Sequence, residues 1–166
     1  MGMTFREHLA AVTLGLVPGD QLAEIATGGL TEGYDSSSLA ALAGQSSSRY
    51  DSWEWRRLWD TALDDLGLPP PAPLEAARLL VRACARMVIA GELTPRDGAA
   101  MLVRVHQSIY EAASDSKYVG DSIGAGAIIG LFYEHDDCGF LDEASHRQID
   151  REILDEFQRI FSGPTV

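Results

Sequence analysis

Residues 73–113 read PLEAARLLVRACARMVIAGELTPRDGAAMLVRVHQSIYEAA, and their spacing decides the fold class. Leu74, Ala77, Val81, Cys84 and Val88 recur at steps of three and four, the stripe of a helix with one buried face. Gly91 then supplies the stop, because a residue without Cβ takes positive φ at little cost. Thr94-Pro95-Arg96-Asp97 restarts the helix: Thr94 accepts a backbone N–H, Pro95 needs none at the first helical position, and Asp97 sits near the positive end. Gly98, Leu102, Val105, Ile109 and Ala112 repeat the stripe. Two helices whose apolar faces meet across a short connection make an antiparallel hairpin, Leu74–Ala90 against Pro95–Ala113.

Outward from the hairpin the pattern stays helical. Thr4 can cap a helix carrying Phe5, Leu9, Val12 and Leu16, ended by Val17-Pro18-Gly19. Asp20 is placed to cap a short second helix bearing Leu22, Ile25 and Ala26, with Gly28-Gly29 as its stop. Leu39–Ala43 reads as one or two helical turns between serine-rich loops. Asp51 and Glu54 form a capping box for a helix running to Gly67. Its stripe is Trp55, Leu58, Trp59, Ala62, Leu63 and Leu66, and the two tryptophans are expected to anchor the outer face of the hairpin. Trp53 falls on the other side, where a terminal tryptophan is expected to fold back onto a loop. Pro69-Pro70-Pro71 stiffens the spacer that launches the hairpin.

Beyond Ala113 a helix is expected from about Val119 to Tyr133, with Gly120, Gly124, Gly126 and Gly130 inside it allowing a neighbour to pack closely. A last helix, Glu143 to Phe161, carries Ile149, Ile153, Phe157 and Ile160 on one face. No run of Val, Ile and Thr alternates with period two, so no strand is expected. The expectation is an all-α single domain, residues 1–166, of about seven helices organised on the central hairpin.

The segment from Trp55 to Tyr110, above all Ala90-Gly91-Glu92-Leu93-Thr94-Pro95-Arg96-Asp97-Gly98-Ala99, resembles a helical hairpin of uncharacterised actinobacterial proteins. The resemblance implies the helical fold and carries no activity with it.

Composition narrows the function. The 166 residues carry a net charge of −12, which disfavours nucleic acid and anionic membranes by Coulomb repulsion. No run of about 18 apolar residues is present, so no membrane span is expected. Arg6, Glu7 and His8 stand where a signal peptide needs an apolar core, and two cysteines make no disulfide framework; both point to the cytoplasm. Residues 1–110 hold 13 acids and 9 bases, a net −4, whereas residues 111–166 hold 12 acids and 4 bases, a net −8.

The densest polar cluster is Glu134-His135-Asp136-Asp137-Cys138, followed by Asp142, Glu143 and His146. Imidazole and carboxylate are transition-metal ligands, which makes His135, Asp136, Asp137, Glu143 and His146 the weak metal candidates. A di-iron bundle needs a second Glu-x-x-His beside Glu143–His146, and none exists; an EF-hand needs alternating oxygen ligands around a central Gly. The cluster reads instead as an acidic inter-helix loop, with no cofactor expected. Gly124–Gly130 misses the dinucleotide fingerprint by one spacing and lacks the ending of a P-loop. Arg78, Arg82 and Arg86 form an i, i+4 ridge opposite the buried face of the hairpin, expected to pair with the chain's own carboxylates on the last helix or around Asp60, Asp64 and Asp65. No Ser-His-Asp or Cys-His arrangement stands out. The leading expectation is a non-enzymatic module whose acidic surface, Glu134, Asp136, Asp137, Asp142 and Glu143, takes a basic protein, in the manner of immunity proteins. The alternatives are a metal-dependent helical enzyme on the His135–His146 cluster and a small-ligand sensor built on the glycine helix.

Overall fold

Every regular element of this computed structural model is helical among the residues it describes, which are 2–45, 52–112, 119–137 and 143–163. In chain order they are α1 (Phe5–Thr13), a 3-10 turn (Gly19–Gln21), α2 (Leu22–Thr31), α3 (Ser37–Ala43), α4 (Ser52–Leu66), α5 (Pro73–Ile89), α6 (Pro95–Ala112), α7 (Val119–Ser122), α8 (Gly126–Asp137) and α9 (Glu143–Ser162). The all-α class is as expected. The helices gather into two units, Met3–Ala72 and the chain from Pro73 onward joined by Met1–Gly2.

In the unit from Pro73 onward, α5 packs against both α6 and α9. It therefore buries more than one stripe: Ala76, Leu80, Ala83, Ala85 and Met87 are covered along with Ala77, Val81, Cys84 and Val88. Leu74, expected at the head of that stripe, is 38% exposed because it lies in the first turn, ahead of the packed length. The hairpin turn matches its sequence signals. Gly91 has φ +73, its N–H reaches the Val88 carbonyl at 3.0 Å, and the Glu92 N–H reaches the Met87 carbonyl at 2.9 Å, so two of the last carbonyls of α5 are satisfied by the turn. Thr94 Oγ1 accepts the Asp97 N–H at 3.1 Å and donates to the Asp97 carboxylate at 2.7 Å, starting α6. Gly98 is needed for another reason. A Cβ there would stand 2.5 Å from Val88 Cγ2 and 3.0 Å from Phe157 Cζ, so its hydrogen lets α5, α6 and α9 meet. On α9, Ile149, Ile153 and Phe157 are buried at successive turns, as their spacing predicts.

The expected helix from Val119 to Tyr133 is two helices. Gly124 adopts φ +73 and ends α7, its N–H bonding the Asp121 carbonyl and that of Ala125 the Gly120 carbonyl, before α8 restarts at Gly126. α8 then runs past Tyr133 to Asp137. The four glycines do not form a packing stripe: Gly130 is exposed with open space around it.

The unit Met3–Ala72 has an aromatic centre. Phe5, Trp55 and Trp59 are buried with Leu9, Ile25 and Leu39, and the Phe5 ring lies 5.6 Å from Trp59 and 4.7 Å from Tyr34. Within this unit the two tryptophans fill the core, where α4 packs on α3 and on the 3-10 turn. Thr4 caps α1 as expected, in a full capping box with Glu7. Other boundaries differ. Gly15, at φ +69, ends α1 before Val17-Pro18-Gly19 is reached. Asp20 lies in the 3-10 turn, and Gln21 at the cap of α2 makes no side-chain bond. Gly28-Gly29 does not stop α2, since each glycine costs only about 1 kcal/mol and the turn beyond packs Leu30 against the core. Gly29 in fact serves packing: a Cβ there would lie 2.6 Å from Phe5 Cδ2. Ser36 caps α3 through the Leu39 N–H at 3.0 Å. Trp53 is 71% exposed, with the Arg57 guanidinium 6.0 Å from its ring, so it does not fold back. Asp51, half of the expected capping box, lies outside the described residues.

Candidate functional site

The acidic cluster of the C-terminal third begins on a helix, not in a loop. Glu134, His135, Asp136 and Asp137 are the last four residues of α8, and Glu143 opens α9. Those last four carbonyls of an α-helix have no partner within it and concentrate about half a negative charge. Glu134 and Glu143 are exposed. His146 stands one turn after Glu143 and is half-buried. Asp142, and the side chains of His135, Asp136 and Asp137, lie outside the described residues. Among the described residues no group of three or more His, Cys, Asp or Glu is placed to hold a metal ion.

The sequence reading passed over a second site, a groove of about 630 Å³ between the start of α1 and one face of α2. Glu24, Gly28 and Glu32 recur every four residues, so α2 presents them on one side with Thr31 beside them. Phe5, Ile25 and Met3 give the groove an apolar side, and His8 comes in from α1. Burial pushes the His8 imidazole below its ordinary value of 6.5, while Glu32, Glu7 and Glu24 pull it back without cancelling the shift. It is therefore neutral at pH 7, with one ring nitrogen open to accept. Glu32 Oε1 accepts the Phe5 N–H at 2.8 Å, tying α2 to the first turn of α1. The signal was present in the 24-28-32 spacing, but Gly28-Gly29 read as a helix stop and hid it.

Two arginines of the ridge reach backbone carbonyls. Arg78 donates from Nε and one terminal nitrogen to the Ser122 carbonyl, both at 3.2 Å, and Arg86 donates to the Gly2 carbonyl at 3.3 Å. Ser122 is the last residue of α7, where a cation is favoured. Arg78 and Arg82 also border a smaller groove of about 290 Å³ with Asp121 and Ile160. Cys84 is no nucleophile: burial pushes its thiol up to about 12, and Sγ donates to the Gly98 carbonyl at 3.3 Å. His106 sits at the core edge as expected, 6.2 Å from the Tyr110 ring. Cys138 is outside the described residues. No described helix is long and apolar enough to cross a membrane.

No protein family, curated protein or solved structure matches this chain.

Proposed function

We propose that the chain is a non-catalytic binding module of the bacterial cytoplasm whose acidic C-terminal surface, built on Glu134, Asp136, Asp137, Asp142 and Glu143, takes a basic protein in the manner of an immunity or antitoxin protein. One observation carries this reading: the last turn of α8 holds three carboxylate residues, Glu134, Asp136 and Asp137. Acids at that end oppose the helix dipole and repel one another, so they weaken the helix they stand on. Glu134 is exposed, and charge placed against a helix dipole is explained by a use outside the fold. A basic partner would repay it through long-range attraction during encounter.

Association kinetics test the proposal. A basic protein captured from the native organism should bind more slowly as salt rises, because screening shortens the reach of the field. Asp136→Asn with Asp137→Asn should weaken that binding while the melting temperature holds or rises. A partner whose association ignores both the salt and the Asn pair contradicts the reading and leaves the acidity as a solubilising feature.

A further inference from the structure

The groove between α1 and α2 carries acceptors and open space beyond what the fold itself uses. Its lining contains no Arg or Lys, only the acids Glu24 and Glu32 among charged side chains at neutral pH. Glu24 has no hydrogen-bond or ion-pair partner among the described residues, and Glu32, bonded once to the Phe5 N–H, keeps further acceptor capacity. The ring nitrogens of half-buried His8 likewise have no hydrogen-bond partner there. Most telling is Gly28. It lies inside α2 at negative φ, and a Cβ added to it would meet nothing within 4 Å. Gly29 beside it has a packing reason in the Phe5 ring; Gly28 has none, and glycine weakens a helix relative to alanine. What Gly28 does provide is bare backbone in the middle of the groove, where any side chain would occupy the space between Glu24 and Glu32.

We propose that this groove binds an organic cation, a guanidinium or ammonium group carried on an apolar stem. The cationic head lies between the Glu24 and Glu32 carboxylates with neutral His8 as a further acceptor, and the stem passes over exposed Gly28 toward Met3. A guanidinium suits the carboxylates because its planar fork meets them two bonds at a time. The same head group occurs on free small molecules and on an arginine side chain of a protein. The site is separate from the acidic end of α8 and does not depend on the function proposed for it.

The test is a titration of the whole chain followed by amide NMR at Gly28 and Gly29. The probes are benzamidinium, its neutral counterpart benzamide, and the peptide acetyl-Leu-Arg-Leu-amide. Saturable shifts with benzamidinium, at least about tenfold weaker for benzamide, support the site. Glu24→Gln should weaken benzamidinium binding about tenfold. Gly28→Leu fills the groove from an open helical position, so it should abolish the shifts of neighbouring amides without lowering the melting temperature. A peptide that binds at least about tenfold tighter than benzamidinium assigns the source to a protein, and the reverse order assigns it to a small molecule. Absence of saturable shifts below about 10 mM for both cations overturns the proposal, as does equal binding of benzamide or unchanged binding in Gly28→Leu.

Discussion

At the start of α1, Glu7 Oε2 accepts the Thr4 N–H at 2.7 Å and Glu32 Oε1 accepts the Phe5 N–H at 2.8 Å. At the end of α8, Glu134, Asp136 and Asp137 occupy the turn whose carbonyls have no partner within the helix. The first pair of acids satisfies orphan donors and meets the positive end of a helix dipole. The second group meets the negative end. The same residue type is thus favoured at one helix end and disfavoured at the other, by position along the dipole. An acidic composition says nothing by itself about stability or use; each carboxylate has to be assigned to a helix end before its sign is known.

The comparison can be broken most sharply at Glu32. Glu32→Ala removes a bond from an ionised acceptor and leaves the Phe5 N–H short of a partner, so unfolding free energy should fall by about 2 kcal/mol in a urea titration. Thr4→Ala removes the cap itself and should cost about 1 kcal/mol by the same measurement. No loss from either would mean that the bonds at the start of α1 contribute nothing to the fold. Gly28→Ala, in the same unit, should go the other way and raise stability by about 0.5–1 kcal/mol, since its Cβ has room.

The smallest effect concerns His8. Its pKa in the fold lies below the unfolded value of 6.5, so the folded state binds fewer protons. Stability should therefore hold above pH 6.5 and decline as pH falls through the lower folded value. His8→Gln should flatten that part of the curve, read by thermal melts between about pH 7 and 5, above the ordinary carboxylate range. An unchanged slope would show that the imidazole is not desolvated by α2.

Much of this was legible beforehand, for a physical reason. Helix faces and caps are local, so the α5–α6 hairpin, the Thr4 capping box and the Ile149-Ile153-Phe157 stripe follow from spacing alone. What failed was the meaning of glycine. Gly28-Gly29 read as a stop, although Gly29 is kept small by the Phe5 ring from another helix and the real stop is Gly33 at φ +93. The row Gly120 to Gly130 read as one packed helix, although Gly124 breaks it. Distinguishing a turn, a close contact and an empty groove requires knowing what stands opposite, and that is tertiary. The burial of Trp55 and Trp59 was plain from the sequence, but not that Phe5, Leu9 and Leu39 would share their core. The α8 acids were found as a cluster, while their position on a helix end, which gives them their sign, came only with the fold.

That sign is best measured with Asp136→Asn and Asp137→Asn combined, beside Glu7→Gln, by urea unfolding at low and high salt. Each change removes charge and nearly preserves shape. At low salt the Asn pair should gain about 0.5–1 kcal/mol while Glu7→Gln loses a few tenths or more, and both differences should shrink at high salt. If instead the Asn pair loses stability, the acids at the end of α8 are serving the fold, and the case for an external partner is contradicted.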